Sequence, residues 1–120
     1  MAFSIVADHD QRLVRIKHWD ELVREEMFLA RSQAGAILKE LGYLRLLVDV
    51  RHIHEAPDTI DTFEVSTSHA DALPPKFRLA ILVSTELIAD ALFGENVSTN
   101  RGFNSKVFLD EPDALAWLCQ

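Results

Sequence analysis

Two short apolar runs open the chain. FSIVA (Phe3 to Ala7) and LVRIK (Leu13 to Lys17) are β-rich and flank the polar DHDQR, a pattern that predicts a hairpin. In the second run Leu13, Val14 and Ile16 are apolar while Arg12, Arg15 and Lys17 are basic, so one face of the strand is wetter than the other. The period then changes. Val23, Met27, Ala30, Ala34, Ile37 and Leu41 recur at three and four residues, which is one apolar stripe of a helix facing a sheet. Asp20 is expected to cap this helix. Glu21, Glu25 and Glu26 follow where the helix dipole favours negative charge. Gly42 suits the left-handed position that ends such a helix.

YLRLLVDV follows, almost continuously apolar, as in a central strand covered on both faces. After it, Asp58 is placed to cap a second helix. Ile60, Phe63, Thr67 and Ala70 form its expected inner face, and LPP ends it near Leu73. FRLAILV is a second buried-type strand. Ser84 or Thr85 is the expected cap of a shorter helix through ELIADALF, stopped by Gly94. The polar GENVSTNRGF then reads as a connection to a last strand, SKVFL. Asp110 caps a final helix with Pro112 in its first turn and Asp113 at the third position. Ala114, Leu115 and Leu118 dock that helix, with Trp117 beside them.

Strands alternating with helices imply right-handed crossovers and a largely parallel sheet, and the opening hairpin adds an antiparallel edge. The expected fold class is α/β: one domain over residues 1–120, with a mostly parallel sheet of four or five strands and about four helices. The 120 residues are 48% hydrophobic and 26% charged, enough apolar mass for one core. No segment is long and apolar enough to span a bilayer. The opening MAFSIVADHDQ has neither a basic start nor an apolar core, so no secretion signal is expected. Cys119 is the only cysteine. No internal disulfide can form, and a cytoplasmic setting is expected. Twelve basic residues stand against nineteen acidic ones, for a formal net charge of −7. Such a surface repels nucleic-acid phosphates and anionic lipid, and a cationic protein partner is electrostatically easier.

LLVDVRHI as a buried strand, KFRLAILV as the next, and the closing KVFLDEPDALAWL together resemble the STAS superfamily. The likeness is to its small stand-alone SpoIIAA-like, or STAS/SEC14-like, members. It covers nearly the whole chain in element order and is sharpest from Phe108 to Leu118. The resemblance implies a helix-covered sheet with no catalysis by the domain itself. Better-known members are anti-sigma-factor antagonists that bind a partner kinase and are switched by phosphorylation of a serine in an Asp-Ser-Ser/Ala-Gly motif. That motif follows the strand corresponding to LLVDV. Here the region reads HIHEAPDTID, without Asp-Ser or Gly, and Thr59 is the only hydroxyl near the helix start. The resemblance therefore carries the fold further than the function.

Ligands in open parallel sheets bind outside the carboxyl ends of the strands. The loops expected there hold His52, His54, Glu55, Asp58, Thr59, Ser84 and Thr85, with Asp110 and Glu111 beside them. These are the candidate ligand- or partner-binding residues, together with Arg101 and Phe103 from the long connection before the last strand. If Phe103 is exposed the connection is a partner loop; if buried, a brace. His52 and His54 point the same way in an extended segment and, with Glu55, form two or three of the ligands a zinc ion needs. A solvated loop leaving the sheet is the favoured reading of these residues, and no metal or other cofactor is assigned. Asp49 lies within an apolar strand and needs a partner; Arg51 is the expected one. Ser66, His69 and Asp71 lack an oxyanion hole and a nucleophile turn and read as a polar helix face. No residue is assigned a catalytic role.

Three functions follow in order. The first is a non-enzymatic protein-interaction or regulatory module, a bacterial cytoplasmic regulator, binding through residues 51–61. The second is a carrier of a small apolar molecule or lipid in a cavity between helices and sheet. The third is a metal-dependent hydrolase using His52, His54 and Glu55. A homodimer is compatible with all three.

Overall fold

The computed structural model describes residues 2–120. β1 (Phe3–Asp8) and β2 (Leu13–Asp20) form the hairpin, pairing antiparallel from Phe3 opposite His18 to Asp8 opposite Leu13. Then follow α1 (Arg24–Leu41), β3 (Arg45–Ile53), α2 (Thr59–Thr67), β4 (Arg78–Leu82), α3 (Ile88–Asn100), β5 (Asn104–Phe108) and α4 (Glu111–Leu118). The sheet has five strands in chain order, β1-β2-β3-β4-β5, and every pair after the first is parallel. The expected α/β architecture is therefore present, with five strands and four helices.

Alternation along the central strands sorts the core onto two faces. Val14, Ile16, Leu46 and Leu79 pack with Ala30, Ala34 and Leu38 of α1. Val50, Ile53 and Val83 continue that face toward Ile88 and Ala91 of α3. The opposite face places Leu13, Leu47, Ala80 and Leu82 against Ala114 and Leu118 of α4. The buried stripe of α1 is thus Ala30, Ala34 and Leu38, and the expected Leu41 lies outward, 38% exposed. No helix is long and apolar enough to cross a membrane among the described residues.

Several helix ends follow the local chemistry. Gly42 is left-handed at φ 72°, and its N–H bonds the Leu38 carbonyl. Asp58 accepts from the Ile60 N–H, and Asp110 from the Asp113 N–H. Three expectations are corrected. Asp20 does not cap α1. It is the left-handed last residue of β2, at φ 63°, and its carbonyl accepts from His54 N, which ties it to β3. Val23 occupies the cap position without a side-chain bond. Neither Ser84 nor Thr85 caps α3 through its side chain; they begin a 3-10 turn over Thr85–Leu87 that leads into the helix. Gly94 does not end α3, which runs to Asn100 and absorbs most of the expected connection. A Cβ at Gly94 would sit 3.2 Å from Ser66 Oγ and from Thr62 Cγ2. The glycine therefore lets α2 and α3 approach closely, and Ser98 Oγ donates to the Ser66 carbonyl across the same contact.

Gly35 makes a second close approach, within α1. A side chain there would overlap the Ala72 carbonyl, a backbone group that cannot swing aside. Gly35→Ala is expected to destabilise the fold by about 1–3 kcal/mol, the usual range for overpacking. Urea denaturation would read this as a lower midpoint at unchanged slope.

Candidate functional site

Because β3, β4 and β5 run parallel, their following loops emerge on one edge of the sheet. His52 lies in β3 opposite Trp19 and is exposed, whereas Ile53 turns inward at 8% exposure. Trp19 is accordingly a residue of β2. His54 is held by its backbone N–H to Asp20, and its Nε2 stands 3.7 Å from Asp20 Oδ1. Glu55 and Thr59 are exposed, Thr59 as the first residue of α2. Ser84 and Thr85 share this edge, and so does Asp110. Arg101 and Phe103 do not. They precede β5 and so lie at the opposite edge. Phe103 is half-buried, its ring centroid 5.6 Å from those of both His69 and Phe77; it braces the end of α3. Among the described residues no three His, Cys, Asp or Glu side chains are grouped to hold a metal ion, so His52, His54 and Glu55 gain no further ligand from the fold.

The α4 face carries an ion-pair chain. Asp49 is 4% exposed and accepts from the Arg51 backbone N, from Nε at 3.0 Å and from Nη2 at 2.9 Å. Burial works to raise the Asp49 pKa, but the Arg51 hydrogen bonds and charge outweigh it and hold the carboxyl below its ordinary value. Arg51 Nη2 also lies 3.7 Å from Glu111 Oε1, which Arg15 Nη1 contacts at 2.7 Å. The network is structural. It neutralises a buried acid and ties the start of α4 to β2 and β3.

The opposite face holds a mostly apolar cavity of about 140 Å³ that is partly open to solvent. Ile16, Leu46, Val48, Val50, Leu79 and Ile81 supply its floor, and Thr62, Val65 and Ser66 of α2 roof it. Half-buried Leu22, Ala56, Pro57 and Leu87 border it at the carboxyl edge of the strands. The inner face of α2 is thus Thr62 and Ser66, not the expected Ile60, Phe63, Thr67 and Ala70. Ile60 is 65% exposed and Phe63 46%. Ser66 and His69, read from the sequence as a solvated polar face, are buried instead. Arg31 reaches across from α1, its Nη1 donating to the Val65 carbonyl, Ser68 Oγ and His69 Nδ1. An acceptor at Nδ1 puts the His69 proton on Nε2.

No family model matches the chain, and no curated protein matches it. Among solved structures, the chain is similar to an anti-sigma factor antagonist from Mycobacterium paratuberculosis. The two share 12% sequence identity and superpose with a TM-score of 0.66, covering 98% of this chain and 95% of that one. The fold is STAS-like. The likeness expected from the element order thus extends over nearly the full length of both chains.

Two buried histidines give the fold an acid sensitivity. Burial pushes His18 down to about 4 and His69 down to about 3, from an ordinary value of 6.5, with the Arg31 charge adding to the effect at His69. Below 6.5 the unfolded chain binds protons that the folded chain refuses. Stability is therefore complete above 6.5 and falls as pH drops toward 4 and 3. Urea midpoints measured from pH ~7 to ~4.5 should decline, and less steeply in His18→Leu or His69→Gln, which remove one titration each.

Proposed function

We propose that residues 1–120 form a single non-enzymatic regulatory module that binds a protein partner. The contact uses the outer face of α2 and the adjoining loop over residues 51–61. The observation that carries this reading is the outward placement of Ile60 and Phe63. Two large apolar side chains side by side on one exposed helix face make an apolar patch of the kind that marks interaction sites. Glu55, Asp58, Asp61 and Glu64 surround them, and α2 itself has no Lys or Arg. Arg24 of α1 is engaged with Glu64 at 2.6 Å and Asp61 at 3.3 Å. A partner presenting apolar side chains ringed by basic ones fits this surface, with the overall charge of −7 assisting the approach.

The STAS-like fold supports a regulatory role, since the similar solved structure is an anti-sigma factor antagonist. Thr59 is the exposed hydroxyl at the start of α2. The partner reading does not depend on its modification. His52, His54, Glu55, Asp58, Ser84 and Thr85 serve in this reading as rim and capping residues. Arg101 and Phe103, at the far edge, take no part.

Ile60→Asp combined with Phe63→Asp should weaken capture of a partner from native lysate at least tenfold, about 1.4 kcal/mol. The urea midpoint should stay within about 0.5 kcal/mol of the parent, because both side chains are at the surface. Equal recovery of the same partner by the double variant would overturn the proposed contact.

A further inference from the structure

The cavity beneath α2 has the properties of a ligand site. Its volume, about 140 Å³, is close to the ~150 Å³ at which an apolar protein cavity stays dry and accepts benzene. It is too small for a whole lipid and ample for one ring or a short branched chain. The floor is aliphatic side chain from β2, β3 and β4, with the buried His18 of β2 beside it. The apolar walls of such a space forgo dispersion contacts with protein atoms, and an occupant of matching shape supplies them.

The polar residues on the wall decide the charge of that occupant. Arg31 spends its Nη1 on three protein acceptors, and no carboxylate lies within ion-pair distance of it among the described residues. Its Nε and the Thr62 hydroxyl lack partners, yet neither atom has surface that a water molecule could touch. A carboxylate entering the cavity would have to give up its hydration inside a lining whose surface is almost wholly apolar. His69 Nδ1 is occupied by Arg31, and Asp90, at the α3 end of the wall, would repel an anion if ionised. The wall rejects charge and accepts hydrocarbon.

We propose that this cavity is a binding site for a small neutral apolar molecule about the size of benzene or toluene, entering beside Leu22, Ala56, Pro57 and Leu87. The inference is independent of the protein-partner reading, since it concerns the inner side of α2 and not the outer.

Toluene titration of the full chain tests it, followed by thermal unfolding and by amide chemical shifts, with benzoate as the charged probe of similar size. Saturable binding should raise the melting temperature as mass action requires. Amides of Val48, Val50, Thr62, Val65 and Ala91 should shift, while benzoate at the same concentration should do neither. Ala91→Leu, which extends a side chain into the cavity, should weaken toluene at least tenfold. The parent titration stands alone if that variant fails to fold. The proposal is overturned by a non-saturable or absent response to toluene, by shifts confined to the outer face of α2, or by benzoate binding as well as toluene.

Discussion

The architecture depends on one constraint of chain handedness. Strands β2 to β5 are parallel and lie side by side in the order in which they are made. Right-handed crossovers that always step in the same direction place every connecting helix on the same face. α1, α2 and α3 therefore share one side of the sheet, and only α4, which follows the last strand, is free to cover the other. One face is crowded with three helices and the other is only partly covered. The half-open face is where the Asp49–Arg51–Glu111–Arg15 chain sits. There the charged groups keep contact with water while anchoring the start of α4.

Crowding on the three-helix face is relieved by small residues rather than by distance. Gly35 lets α1 meet the Ala72 backbone, and Gly94 lets α3 meet Thr62 and Ser66. The Gly94 contact fixes α2 laterally against α3. It does not press the helix onto the strands, and the space left between roof and floor is the cavity. The aromatic group of His69, Phe77 and Phe103 closes the far end of this layer, and so Phe103 works for the packing rather than for a surface loop.

How much of this was legible in the sequence divides along local and non-local lines. Strands β3 and β4 were readable because coverage on both faces writes an unbroken apolar run. Gly42, Asp58 and Asp110 were readable because a cap acts on backbone groups two to four residues away. Gly94 was misread because the same residue type serves helix stops and close helix contacts, and only the position of α2 separates them. Ile60 and Phe63 were assigned inward by the rule that apolar faces pack. The true inner residues, Thr62 and Ser66, are small because α3 lies against them, which is a tertiary fact. Arg51 as the partner of Asp49 was visible at a spacing of two, whereas Glu111, sixty residues further on, was not. The expected edge gathered the residues around His52 and Ser84, but it missed Arg31, Thr62 and His69, for which no local signal exists.

The two-sided character of α2 has a thermodynamic consequence. This nine-residue helix has apolar groups facing water on its outside and unfilled space on its inside, so neither side alone fixes its depth over the sheet. Linkage fixes one relation between the two sides: whatever factor an occupant within adds to the affinity of the outer surface, the outer surface returns to the occupant unchanged. The helix is a balance beam whose two pans are a hydrocarbon-sized void and a pair of bare side chains.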